Sequence, residues 1–157
     1  MSKLRTRMLV ATMFALTALV ACSDDGDAGG GSTGDGEETP AEQATVQAED
    51  SDLGEIVVDA EGKTLYVFLA DEGGASTCYE DCEASWPPLT VDAEPVPGEG
   101  IEASLLGTTE RDDGSLQVTL DGQPLYYFAA DETADDVNGQ GVGHVWFVVA
   151  PDGAPIR

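Results

Sequence analysis

Two cysteines four residues apart, Cys78 and Cys82, carry the most reactive side chains in this sequence, inside the stretch TCYEDCEASWPP. The stretch predicts a short helix over residues 78–85: Thr77 caps it, Glu80 closes a capping box, and Trp86-Pro87-Pro88 ends it. On such a helix a spacing of four puts both sulfurs on one face, with Cα atoms about 6 Å apart, within reach of a disulfide. In an oxidising compartment the default is a structural staple, and its very small loop makes the entropic gain modest. A redox dithiol is the sharper alternative. It is weakened by Glu80, Asp81 and Glu83, whose charges disfavour a thiolate, and by one residue too many for a thioredoxin-type motif. Copper is the third chemistry. Cys78 and Cys82 with His144, the sole histidine, would offer a thiophilic metal two sulfurs and an imidazole.

A second candidate is rich in oxygen. In DETADDVNGQGVG, the side chains of Asp131, Asp135, Asp136 and Asn138 are candidate ligands for calcium, although the spacing is not that of an EF-hand. A hydrolytic triad would have to use His144, and nothing around it supports one. Carboxylates are too abundant to mark a glycosidase-like pair. The residue types therefore predict a protein that is not an enzyme.

What must position these residues is a repeat. YVFLAD at Tyr66–Asp71 recurs as YYFAAD at Tyr126–Asp131, and the offset of sixty also brings Trp86 onto Trp146. Those are the only two tryptophans in the chain, so their register marks an internal duplication. Each copy opens as a predicted hairpin, around Ala60–Gly62 in the first and Asp121-Gly122 in the second. SLLGTTERDDGSLQVTL adds a further strand turning at Arg111–Gly114, and HVWFVVAPDG a last one. The fold expected is mainly β, with antiparallel sheets from two tandem repeats, about 53–97 and 105–157, sharing one core. The strands are apolar enough for both faces of the central ones to be covered. Within the motif, Tyr66 and Phe68, like Tyr126 and Phe128, share a strand face. Asp71 and Asp131 follow where the strand ends, placed to accept bonds from loop N–H groups or an aromatic donor. The aromatics, with Trp86 and Trp146, read as core.

Together these motifs, with GQGVGHVWFVVAPDG after the second copy, resemble lipoproteins that carry a Yx(FWY)xxD motif, a secreted repeat of unknown function. The resemblance covers residues 53–157 and implies a tandem-repeat envelope lipoprotein with no assigned activity. His144 stands where a small residue is expected in such sequences.

The amino terminus points the same way. Lys3, Arg5 and Arg7 precede an uncharged apolar run, Met8–Val20, too short to span a membrane comfortably. It ends in LVAC, which resembles a lipobox: residues 1–21 read as a lipoprotein signal peptide, and Cys22 as the acylated residue, carrying palmitate-type chains. Residues 22–52 hold ten acids and one large apolar side chain, Val46, and predict a flexible tether with at most a fleeting helix over PAEQATVQAE. Past residue 21 only Lys63, Arg111 and Arg157 face 31 acids, a net charge of −28. Nucleic acid is excluded as a partner by that balance, while cations, basic partners, an envelope protein or a small ligand are not. The expectation is an extracytoplasmic, non-catalytic lipoprotein, a binding or structural module anchored through Cys22. The alternative is a copper-binding or electron-transfer lipoprotein.

Overall fold

The structure, a computed structural model, describes residues 45–157. The expected signal peptide, Cys22 and the expected tether as far as residue 44 lie outside the described residues.

Among the described residues eight strands follow in order: β1 (Val46–Ser51), β2 (Gly54–Asp59), β3 (Tyr66–Phe68), β4 (Thr90–Val91), β5 (Leu106–Glu110), β6 (Leu116–Leu120), β7 (Gln123–Pro124) and β8 (Trp146–Val148). A five-residue helix, α1 (Asp81–Ser85), lies between β3 and β4. All the strand pairs are antiparallel: β1 with β2, β3 with β8, and β6 with β4, β5 and β7. The β6–β7 turn is the Asp121-Gly122 dipeptide, with φ of 48° and 72°, the left-handed geometry a two-residue hairpin requires. The first copy's hairpin is shorter, a single bridge between Val58 and Thr64 on the edge of β2 that faces away from β1.

That pairing corrects the domain start. The tether expected to run to residue 52 stops earlier, since Val46–Ser51 form β1 rather than coil or helix. Its six residues pair from Val46 opposite Asp59 to Ser51 opposite Gly54. On its other side, Ala48 donates to Glu99 and Gly98 to the Val46 carbonyl. The approach there is close: a side chain on Gly100 would sit 2.5 Å from Ala48 Cβ. Val46 is fully buried. One apolar anchor and paired backbone groups on both sides hold a strand whose composition alone argued for coil.

Both faces of the central strands are covered, and this divides the interior in two. Val57, Leu65, Val67, Val118, Leu120, Leu125 and Val149 build an aliphatic cluster. Ile56, Val58, Tyr66, Tyr126, Trp86, Trp146 and Val148 build an aromatic one. Neighbours along a strand enter opposite clusters, as a period of two demands. Each cluster draws on both copies, so neither copy has an interior of its own.

Candidate functional site

The doubled motif meets itself at the centre of the molecule. The Tyr66 N–H donates to the Tyr126 carbonyl at 2.8 Å, and the Tyr126 N–H returns the bond to Tyr66 at 2.9 Å. The side chains cross in the same way. Tyr66 Oη donates to Asp131 Oδ2 and Tyr126 Oη donates to Asp71 Oδ2, each at 2.6 Å. Each motif tyrosine thus bonds the motif aspartate of the other copy. Each aspartate is set just past its strand by a turn, Asp71 N–H to Phe68 and Asp131 N–H to Phe128, both at 3.0 Å. Burial first, and then the facing aspartate, push both phenols well above the usual tyrosine range.

A column of four rings runs beside this pair. Phe68 stacks on Trp146 at 4.2 Å, Trp146 on Trp86 at 3.9 Å and 2° from parallel, and Trp86 on Phe128 at 4.3 Å. The rings alternate between copies. Tyr66 meets Trp86 edge-on at 5.4 Å, and Tyr126 meets Trp146 edge-on at 5.1 Å. The result is a reciprocal lock, the self-complementary contact expected of two related halves.

The loops behind the aspartates differ. In the first copy Asp71 Oδ1 accepts the Thr77 N–H at 2.8 Å and its hydroxyl at 2.6 Å. Thr77 is therefore spent on Asp71 and caps no helix. Glu80 occupies the cap position with φ of 56° and makes no side-chain capping bond, so the expected capping box is absent and the helix begins at Asp81. Cys78, outside the helix, and Cys82, inside it, are joined in a disulfide with Cα atoms 5.2 Å apart.

Arg111 anchors that loop, where the sequence marks only the start of a turn and one of three scattered bases past residue 21. It is 2% exposed. Its guanidinium donates to Ser76 Oγ, Gln117 Oε1, the Cys78 carbonyl and Glu83 Oε2, and it lies 4.5 Å from the Tyr79 ring centre. Ser76 Oγ lies 2.7 Å from Tyr126 Oη, whose own proton goes to Asp71, so Ser76 donates here. The chain of bonds runs from Arg111 through Ser76 and Tyr126 to Asp71. The available signal was its scarcity, one of three bases after residue 21.

In the second copy Asp131 Oδ1 accepts the Asn138 N–H at 3.0 Å, and the Gly139 N–H donates to Tyr66 Oη at 3.2 Å. Only glycine fits there, because a Cβ would lie 2.7 Å from Tyr66 Cε1 and 2.8 Å from Trp86 Cη2. Asp136 Oδ2 accepts the Glu132 and Thr133 N–H groups. Hydrogen bonds from Thr133, followed by that from Glu132, hold its carboxyl below the usual carboxylate range.

The candidate metal sets do not assemble. Among the described residues no group of three or more His, Cys, Asp or Glu side chains is placed to hold a metal ion. Cys78 and Cys82 are bonded to each other, which removes both thiolates a copper site would use. His144 is exposed on a short 3-10 turn, Val142–His144, with φ of 58°. A left-handed backbone favours glycine over a residue with a Cβ. In the calcium set Asp131 and Asp136 fasten backbone amides of the loop, and Asp135 and Asn138 do not complete a cage with them.

Fold and site together define a tandem-repeat β domain whose halves are interlocked through one motif. Residues 47–90 and 107–150, more than half of the chain, match a family described as a secreted repeat of unknown function, and the protein belongs to that family. The two matched segments are themselves sixty residues apart, and the first begins inside β1. No curated protein and no solved structure matches the chain. As a secreted repeat the domain belongs outside the cytoplasm, in keeping with its disulfide. Among the described residues no helix is long and apolar enough to cross a membrane.

Proposed function

We propose that the protein is a non-catalytic lipoprotein of the cell envelope, acylated on Cys22, whose two-repeat domain works as a binding or structural module. The observation that carries the non-catalytic reading is the commitment of its reactive groups to one another. Both motif tyrosines, both motif aspartates and both domain cysteines are paired inside the fold. The anchor reading rests on the basic start, the apolar run Met8–Val20 and LVAC at Leu19–Cys22. Two or more acyl chains would hold the protein at the membrane without help from its surface, whose charge repels anionic headgroups.

Fractionation after Cys22→Ala tests the anchor, with labelled palmitate as a second readout. Release into the medium or periplasm and loss of label are expected. A variant that stays with the membrane and keeps its label would overturn it.

A further inference from the structure

The two copies share their lock but not their surroundings, and the divergence opens a cleft of about 350 Å³ beside Phe128. Pro87, Tyr127 and Ala129 form its apolar wall with that phenylalanine. Sixty residues away the equivalent positions hold Phe147, Val67 and Leu69. Phe147 also carries Arg157 over its ring, at 5.7 Å. Pro87 and Ala129 are smaller than their counterparts Phe147 and Leu69, whereas Tyr127 is larger than Val67 and walls the cleft with its ring.

The polar lining has diverged too. Asp59, Glu61 and Asp131 bring three carboxylates to the cleft against one base, Lys63. At the equivalents of Asp59 and Lys63 stand Thr119 and Gln123. Asp59 is held in place by the Tyr127 hydroxyl at 2.9 Å and by the Glu61 and Lys63 N–H groups. Thr64 lines the same cleft, is 1% exposed, and its hydroxyl has no hydrogen-bond partner. Buried hydroxyls are ordinarily paired. Its counterpart in the other copy is Pro124, so the fold does not require a hydroxyl there.

We infer that this cleft binds a small organic cation, an ammonium group on an apolar or aromatic body. Aromatic faces attract such cations, and the carboxylates outnumber the lysine. The charge of the whole chain concentrates cations at its surface. Thr64, at the cleft wall, keeps a buried hydroxyl that the fold itself leaves without a partner. The volume lies at the small end of ligand sites and suits a body of about two fused rings. The inference specifies the ligand class of the binding module proposed above and does not depend on the lipid anchor.

The test uses the full chain carrying Cys22→Ala and three matched probes: 2-naphthylmethylammonium, 2-naphthylmethanol and 2-naphthoate. Calorimetry at moderate and high salt gives affinities, and amide chemical shifts locate the contact. The ammonium is expected to bind roughly tenfold more tightly than the alcohol, with naphthoate weakest. Ala129→Leu, a change at an exposed position, should abolish most of that affinity by filling the cleft. Glu61→Gln should weaken ammonium binding and Lys63→Gln should strengthen it. Equal affinity for alcohol and ammonium would overturn the inference. So would ammonium binding that Ala129→Leu leaves unchanged, since that is diffuse attraction to an acidic surface. Membrane retention of the Cys22→Ala chain would sink the anchor while leaving the titration to judge the cleft.

Discussion

The loop that follows each copy of the motif does one job by two means. Residues 72–85 support Asp71 and Tyr126 with a threonine, a disulfide and a buried arginine contributed from beyond the repeat motif. Residues 132–145 support Asp131 and Tyr66 with backbone amides alone, drawn in through Asn138 and a glycine that lets the chain touch two rings. A duplicated fold keeps what the halves present to each other, because a change there needs a matching change across the interface. It is free to vary what stands behind.

Substitutions on both sides of the lock and one titration probe that contrast. Removing the shared column should cost most, and equally from either side. Trp86→Ala and Trp146→Ala each leave a buried cavity beside a stacked ring, expected at about 3–5 kcal/mol in denaturant melts. A clear inequality between them would break the symmetry. Phe68 and Phe128, partly buried at the ends of the column, should cost less.

Arg111→Met tests the first loop. It strips partners from Ser76, Gln117 and the Cys78 carbonyl, and a loss on the order of 3 kcal/mol is expected. Hydrogen exchange should show protection lost around Ser76–Cys82 and kept around Asn138; equal loss in both loops would unite what the comparison separates. Gly139→Ala tests the second loop by crowding Tyr66 and Trp86, at about 1–3 kcal/mol. Its exchange pattern should be the reverse.

Cys78→Ser with Cys82→Ser should cost less, roughly 2 kcal/mol at most, because the closed loop spans a separation of only four. Thermal melts of the reduced and oxidised protein give the same comparison.

The smallest effect at neutral pH is electrostatic. Tyr66, Tyr126 and Tyr127 all have folded values raised above the ordinary 10.0, chiefly by burial. A raised value means the folded state holds its proton longer than the unfolded chain. The stabilisation is complete below pH 10 and is lost as pH rises past that value toward the folded ones. Melting temperature should be flat through neutrality and fall in strong alkali, more shallowly once Tyr127 is replaced by Phe. An alkaline arm that ignores all three tyrosines would argue against their burial.

Much of the architecture could be read before any coordinates. Two tryptophans in register fixed the duplication, Asp121-Gly122 its hairpin turn, and runs of consecutive apolar residues showed that both strand faces were covered. Strand β1 was missed, and so was its equivalence to β5, which stands sixty residues on. Val46–Asp50 and Leu106–Glu110 share no residue at matched positions. A strand held mainly by backbone hydrogen bonds leaves little side-chain signature. The capping box did not form because Thr77 turns back to Asp71, donating both its N–H and its hydroxyl across six residues, a contact that no helix template contains.

Hydrophobic periodicity and turn chemistry are local properties, so the repeat, the β class and the residues of the motif were legible in the chain alone. Which partner each residue meets is not local. That Tyr66 bonds Asp131 rather than Asp71, that Arg111 is buried behind the first loop, and that a cleft opens beside Phe128 were decided by tertiary structure. The physical reason is that the two copies cover each other's apolar faces, so every donor and acceptor at their junction must find its partner across the duplication.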